Sequence, residues 1–244
     1  MALRIACDLD GTVADMETAL QREAETLFGA EVDLGAGQSL PLAPLQSPSS
    51  FDGSDDAPAA ASASAPELAP RRPLTDRERR KLWSHVATVD NFWRELKEIE
   101  PGAVARLAAV ATAHRWEVIF LTQRPGGAGD TVQRQSQEWL RAHGFELPSV
   151  FVMNGSRGKV ADAFALDAVV DDRPDNCLDV VTDSTARAIL VWRHDPDSIP
   201  PGAKRMGITV VFSFNEALDQ LERLTALRQK PPGVLGRIRN AIGI

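Results

Sequence analysis

Short apolar runs alternate with amphipathic segments along most of the chain. Apolar runs that predict buried strands begin at Arg4 and recur at 116–121, 150–153, 168–170, 188–192 and 208–211. Between them, apolar residues recur every three or four positions, which predicts helices over 14–28, 77–89, 103–114, 131–143, 160–164, 176–181 and 215–227. Strands in which apolar and polar residues do not alternate are buried on both faces of the sheet. The alternation therefore predicts an α/β fold with a doubly wound, mostly parallel sheet.

One long segment breaks this pattern soon after the first helix. Residues 34–73 are dominated by Pro, Ala, Ser, Gly and Asp, and such a composition buries too little apolar surface to offset the entropy of ordering. We expect it to be disordered inside a small helical insertion over 14–99. The core then comprises 1–13 and 100–228, and 229–244 form a C-terminal tail.

Composition and charge narrow the classes of function. The chain of 244 residues carries a formal net charge of -7, which argues against a nucleic-acid polymer as partner. Two cysteines, Cys7 and Cys177, cannot form a disulfide framework, and the four histidines are scattered without metal-type spacing. No apolar run is long enough to span a membrane or to act as a signal peptide. We expect a cytoplasmic protein; the pattern does not specify its oligomeric state.

Polar residues follow several of the predicted strands directly. Those at or just beyond the strand ends are Asp8, Asp10, Thr122, Asp171 and Asp172, while Lys159 lies in a loop that begins a helix and can return to the same edge. Taken singly, each has an ordinary alternative, such as a turn, a helix cap or a solvated lysine. In a parallel sheet, however, the carboxyl ends of the strands share one edge, where ligands bind. Carboxylates placed so close together are costly without a cation or a shared proton, so the pattern predicts a site there.

The order of these residues resembles the haloacid dehalogenase (HAD) superfamily. Asp8-Leu9-Asp10-Gly11-Thr12 matches its first motif and Thr122 its second, while Lys159 and Asp171-Asp172 match its third and fourth. A receiver-like fold also uses acidic residues, a Thr and a Lys, but there the acidic pair comes early and the Lys last. Here an acidic pair follows the Lys, which favours the HAD assignment. The resemblance implies a Rossmann-like core with a cap inserted after the first strand.

The resemblance also implies a chemistry. Asp8 would attack phosphorus to form an aspartyl-phosphate, and Asp10 would protonate the leaving group and then activate water. Thr122 and Lys159 would bind the phosphoryl group. The residues implied to hold Mg²⁺ are Asp8, Asp10 through its backbone carbonyl, Asp171 and Asp172. Dehalogenases of the superfamily lack the second acid of the first motif, so Asp10 favours a phosphatase acting on a small phosphate monoester.

Several local features resemble the 5'(3')-deoxyribonucleotidase branch, among them 91–96 and the sequence Asp171-Asp172-Arg173-Pro174. That likeness makes a nucleoside monophosphate a candidate substrate. The further substrate contacts that it suggests are Phe92, Trp93, Gln123, Arg124 and Arg157. Phe92 and Trp93 could instead pack in the core, and the two arginines could be solvated. Gln123 stands where that branch usually has Ser.

Two other functions are compatible with the same residues. The first is a HAD-like module that binds phosphate or a protein partner without turnover. The second is a phosphatase of a macromolecular substrate, which a weakly structured cap would admit. Both follow from the composition of 34–73, because a cap interrupted by such a segment could leave the site open.

Overall fold

The computed structural model describes residues 2–34 and 71–229. The strands are β1 (Arg4–Asp8), β2 (Val32–Asp33), β3 (Arg72–Pro73), β4 (Glu117–Thr122), β5 (Ser149–Val152), β6 (Ala168–Asp171), β7 (Arg187–Val191) and β8 (Thr209–Val211). The helices are α1 (Met16–Phe28), α2 (Asp76–Val86), α3 (Ala103–His114), α4 (Val132–Ala142), α5 (Arg157–Ala163), α6 (Pro174–Asp183), α7 (Pro201–Arg205) and α8 (Phe214–Gln229). Single 3₁₀ turns occur at Phe92–Arg94 and Pro196–Ser198.

Six strands form one sheet in the order β5-β4-β1-β6-β7-β8, and every pair in it is parallel. The chain runs from β1 outward to β5, then returns to the other side of β1 and continues outward to β8. The strand order thus reverses beside β1, which is the position where doubly wound sheets bind ligands. The predicted α/β class and the doubly wound parallel sheet are confirmed.

Alternate residues of the central strands face two separate apolar layers. Ile5 and Cys7 belong to a cluster that also contains residues of α1–α4 and α8, whereas Ala6 belongs to a second cluster with residues of α5–α7. Val169 likewise faces the second layer. Because side chains alternate across a strand, both faces are covered, and this explains why the strands read as continuous apolar runs.

Local capping signals match the observed helix starts. Asp15 accepts a hydrogen bond from the Thr18 backbone N–H at the start of α1. At the start of α2, Thr75 and Glu78 form a capping box, which satisfies two otherwise unpaired N–H groups. The sequence pattern does not reveal α7 or the two-stranded β2-β3 pair, because each is too short to show a period.

The insertion after β1 packs on the same apolar layer as the core. Its buried residues, including Leu20, Leu82 and Trp93, join the cluster that holds Leu107 and Phe120. Val32–Asp33, just before the segment predicted to be disordered, pairs with Arg72–Pro73 at the end of that segment. Residues 35–70, the rest of that prediction, lie outside the described residues, as do 230–244 of the predicted tail. The boundaries of the cap therefore remain a prediction.

Within the ranges 2–34 and 71–229, no helix combines the length and the apolar composition that a bilayer crossing requires.

Candidate functional site

Polar residues end three adjacent strands of the sheet, β4, β1 and β6. Asp8 is the last residue of β1, Thr122 of β4 and Asp171 of β6. In the strand register Cys7 pairs with Val170 and Asp8 with Leu121, so the three side chains emerge within about one residue of the same level. All three are buried, at 7%, 0% and 0% exposure in that order. The structure thus brings the predicted carboxylates and the threonine together.

A tight loop after β1 holds Asp10 beside this row. The backbone N–H groups of Val13 and Ala14 both donate to the Leu9 carbonyl, and Gly11 N–H donates to the Ala14 carbonyl. Gly11 has φ +78°, a conformation that other residues rarely adopt. A Cβ on Gly11 would also collide with the Asp172 carboxylate. Glycine is therefore required here, both for the turn and for the close approach of Asp172.

Arg157 is the cation that reaches Asp8. Its side chain is buried, and Nη2 donates to Asp8 Oδ1 at 2.6 Å. Nε lies 3.6 Å from Asp171 Oδ2, beyond hydrogen-bond distance. Nε and Nη1 are both buried without a hydrogen-bond partner. Unpaired buried donors are costly, so these two N–H groups mark a place where an acceptor oxygen would be stabilised.

Lys159 does not occupy that place. It is exposed, and its backbone N–H donates to the Ser156 side chain that caps α5. Residues two apart on a helix project roughly 200° apart, so Arg157 and Lys159 cannot both face Asp8. The structure therefore leaves Lys159 in solvent, and its assignment as the third-motif cation stays a prediction. Arg157, which the sequence suggested only as a further substrate contact, lies beside Asp8.

Asp10 is held by a second buried arginine. Arg124 Nε lies 3.0 and 2.9 Å from the two carboxylate oxygens of Asp10, and Nη2 lies 2.7 Å from Oδ1. The Thr122 hydroxyl donates to Asp10 Oδ2 at 3.2 Å. Arg124 and Arg157 are both buried. The alternative that these two arginines are solvated is therefore wrong. Thr122 is also fixed by the Arg124 backbone N–H, at 3.3 Å from its hydroxyl oxygen.

The fourth-motif carboxylates differ in how they are held. Asp171 accepts hydrogen bonds from Asn176 Nδ2 and from the Arg173 backbone N–H. Asp172 has a long 3.4 Å contact from the Thr12 hydroxyl. Burial, and then the charge of Asp171, raises the pKa of Asp172 to about 8. Burial, with the nearby charge of Asp171, also raises the pKa of Asp8 well above its usual range.

Charge and donor chemistry together favour a bound cation. Four carboxylates (Asp8, Asp10, Asp171, Asp172) face two buried guanidinium groups, an excess of two negative charges when all are ionised. Oxygen ligands of this kind suit hard divalent cations. In 2–34 and 71–229, no three acidic, His or Cys side chains converge as a metal-binding group. Any cation here would thus rely on fewer carboxylates, completed by backbone carbonyl, water or substrate oxygens.

Phe92 and Trp93 lie in the core, the alternative to stacking on a substrate. They are 6% and 2% exposed and pack edge to face, with ring centroids 5.0 Å apart. The Trp93 indole N–H donates to the Pro125 carbonyl at 3.3 Å. Neither ring offers a free face in this structure. Gln123 is half-buried and keeps its predicted substrate role as a hypothesis.

The two cysteines do not supply a nucleophile. Burial raises the pKa of Cys7 to about 12 and that of Cys177 well above its usual range. Both thiols therefore stay protonated near neutral pH, and only thiolates are strong nucleophiles. The acids at the strand ends are left as the reactive groups of this site.

Sequence reasoning missed an ion pair that fastens the first-motif loop. Arg193 donates to the carbonyls of Gly11 and Thr12 at 2.6 and 3.0 Å, and to Glu100 Oε1 at 2.6 Å. Glu100 also accepts the backbone N–H groups of Phe214 and Asn215 at the start of α8. No motif marks these residues, because they lie far apart in the sequence.

Glu100→Gln is expected to destabilise the protein at pH 7 by about 1.5–3 kcal/mol, the range for hydrogen bonds to a charged group. Burial opposes ionisation, but the N–H donors of Phe214 and Asn215, and then Arg193, lower the pKa of Glu100. This stabilisation is present above the ordinary value of 4.5 and is lost as the pH falls through the lowered pKa. Urea unfolding should therefore show a difference at pH 7 that shrinks well below pH 4.5.

The matched control for that measurement is Glu117→Gln. Glu117 also pairs with an arginine, Arg4, but its side chain is 67% exposed, and exposed pairs contribute about 0–1 kcal/mol. Equal destabilisation by the two variants, or a Glu100→Gln effect that does not change with pH, would contradict the role given to Glu100.

Comparisons with known proteins support the fold. No family model and no curated protein matches the chain. A hydrolase from Pseudomonas syringae shares 15% identity at a TM-score of 0.50, covering 91% of this chain and 98% of its own. A HAD-family hydrolase from Deinococcus radiodurans, solved with bound phosphate and sodium, shares 14% identity at a TM-score of 0.51, covering 91% and 96%. The chain thus has the fold of these HAD-like hydrolases.

Proposed function

We propose that this protein is a Mg²⁺-dependent phosphatase that hydrolyses a small phosphate monoester through an aspartyl-phosphate on Asp8. The observation that carries the proposal is the Asp8–Arg157 pair at the sheet edge, with two unpaired Arg157 N–H groups beside the carboxylate. A phosphoryl group presented to Asp8 would accept those donors. The phosphate bound to the structural neighbour from Deinococcus radiodurans is consistent with such a ligand.

In the first step Asp8 attacks phosphorus, so that a bond from its carboxylate oxygen forms as the ester P–O bond breaks. Asp10, two residues on in the same loop, would give a proton to the departing oxygen. Both of its oxygens accept hydrogen bonds from Arg124 and Thr122, so it must take up that proton from solvent before this step. Arg157 stabilises charge on the phosphoryl oxygens through its free N–H groups. Thr122, at the end of the neighbouring strand β4, would bind a phosphoryl oxygen through its hydroxyl.

In the second step a water oxygen attacks phosphorus and the bond to Asp8 breaks, which releases inorganic phosphate and restores the Asp8 carboxylate. Asp10 takes the proton of that water, so it ends the cycle as it began. Asp8, the Asp10 carbonyl and the acids Asp171 and Asp172 would hold Mg²⁺. When bound, it supplies positive charge that offsets repulsion between a phosphate dianion and the carboxylates.

The substrate class is the finer part of the proposal. A nucleoside monophosphate follows from the likeness to the deoxyribonucleotidase branch. Phe92 and Trp93, the aromatics suggested to stack on a base, are buried, which supports keeping sugar phosphates and phosphopeptides as candidates too.

The test is turnover of p-nitrophenyl phosphate and of a panel of nucleoside monophosphates, sugar phosphates and phosphopeptides, each with Mg²⁺ and with EDTA. We expect turnover of at least one ester. EDTA should abolish this turnover, and added Mg²⁺ should restore it. Turnover of none, although beryllofluoride with Mg²⁺ binds, would favour the non-catalytic phosphate-binding module. Turnover limited to phosphopeptides would favour the macromolecular phosphatase.

A further inference from the structure

The two buried arginines of the site differ in what their donors contact. Arg157 has two N–H-bearing nitrogens without partners. Arg124, in contrast, has every nitrogen engaged: Nε and Nη2 on Asp10, and Nη1 on the Ser136 hydroxyl at 2.9 Å. Its side chain is 0% exposed. Three of the five N–H donors of Arg124 are therefore already engaged within the protein, and burial of the side chain leaves the other two little access to a substrate.

Residues of three other segments fix the Arg124 guanidinium. Arg124 follows β4, Asp10 follows β1, Ser136 lies on α4, and Trp93 comes from the insertion. The guanidinium carbon lies 5.1 Å from the centre of the Trp93 ring, a cation–π distance. Trp93 is itself held to α4, because its backbone N–H donates to Gln135 Oε1 at 3.1 Å. The planar fork of arginine suits such a two-point contact, whereas lysine would act as a single charge.

This arrangement holds both carboxylate oxygens of Asp10. Both of its oxygens accept from Arg124, and Oδ2 accepts from Thr122 as well. A carboxylate on a loop next to a positive-φ glycine would otherwise sample several rotamers. Proton transfer depends on the donor lying within hydrogen-bond reach of the reacting oxygen, so an orientation fixed in this way has a direct catalytic consequence.

We propose that Arg124 is a positioning residue, which orients Asp10 for proton transfer to the leaving group and does not itself contact the substrate. This rests on the proposed function, in which Asp10 is the proton donor. The segment around Trp93 contributes to the same orientation through its stacking on Arg124. The insertion after β1 would thus act on the chemistry through Asp10, besides any contact with the substrate.

The experiment compares two esters of similar shape, p-nitrophenyl phosphate and benzyl phosphate, in wild type and Arg124→Met. The nitrophenolate leaves without a proton, whereas the benzyl alkoxide needs one. We expect kcat/KM for benzyl phosphate to fall by about 10²-fold, within the range for general acid catalysis. The loss for p-nitrophenyl phosphate should be less than about tenfold, since only the proton-dependent part of catalysis is removed. Arg124→Lys should show the same selective loss, because one ammonium cannot replace the fork.

Two further variants keep the inference testable if Arg124→Met folds poorly. Ser136→Ala removes only the hydrogen bond between Arg124 Nη1 and the Ser136 hydroxyl. It should also lower kcat/KM selectively for benzyl phosphate, but by a smaller factor. Arg134→Lys, at an arginine whose side chain is 64% exposed, is the control and should leave both esters unaffected. Circular dichroism of each variant checks that it is folded.

A double-mutant cycle with Asp10→Asn separates action through Asp10 from direct contact with the substrate. If Arg124 acts only through Asp10, adding Arg124→Met to Asp10→Asn should change kcat/KM for benzyl phosphate little further. Losses that multiply, or an equal loss on both esters in Arg124→Met, would overturn the inference. Failure of the wild type on both esters would instead count against the proposed function, and the inference would fall with it.

Discussion

Replacing Asp8 with asparagine should reduce kcat/KM for every phosphate ester by at least about 10⁴-fold, because an amide oxygen cannot replace the nucleophile of a covalent mechanism. The substitution changes shape very little. It also removes one charge from a group of carboxylates that includes Asp171 and Asp172. The side-chain oxygen of asparagine can still accept the hydrogen bond from Arg157. We therefore expect a folded variant whose melting temperature is not lower than that of the wild type.

Steady-state kinetics with p-nitrophenyl phosphate and a thermal melt check both expectations. Asp162→Asn, at an exposed position on α5, is the matched substitution and should retain wild-type activity. A folded Asp8→Asn protein with turnover near that of the wild type would rule out Asp8 as the nucleophile.

Replacing Arg157 with methionine should affect activity and stability together. Loss of a group that stabilises transition-state charge costs about 10²–10³-fold in rate. In EDTA, removing one partner of a buried ion pair should also lower stability by about 3–5 kcal/mol. The reason is that the buried Asp8 carboxylate would lose its counterion, so that it must either remain charged without compensation or take up a proton. Kinetics and urea unfolding measure the two effects, and Arg187→Met, at an exposed arginine on β7, is the control.

Two companion variants make the Arg157 prediction specific. Adding Asp8→Asn to Arg157→Met should restore part of the lost stability, because the uncompensated charge is gone; purely additive effects would show that the two residues are not coupled. Lys159→Met should lower kcat/KM less than about threefold, the scale of a weakly coupled surface charge. A large loss at Lys159 with little effect at Arg157 would support the assignment made from the sequence motif.

Local signals in the sequence account for most of the fold. Apolar runs placed the six strands of the large sheet within one or two residues, and the caps of the first two helices, Asp15 and Thr75, are residue types that favour such positions. These features depend on neighbours in the sequence, through side-chain periodicity and capping. The position of Asp8, Thr122 and Asp171 at one edge also followed from the sequence, because parallel strands end at the same edge.

Which basic side chain serves which carboxylate was decided only by the tertiary structure. Arg157 and Lys159 are equally good cations in the sequence, but α5 turns the first toward Asp8 and leaves the second in solvent. Arg124 and Asp10 are 114 positions apart, and neither shows in the sequence that the other is its partner. Burial selects among such pairs, because a charge removed from water must find an opposite charge or a hydrogen bond. The sequence alone thus determined where the acids of this protein lie, and the packing of the helices determined which cations meet them.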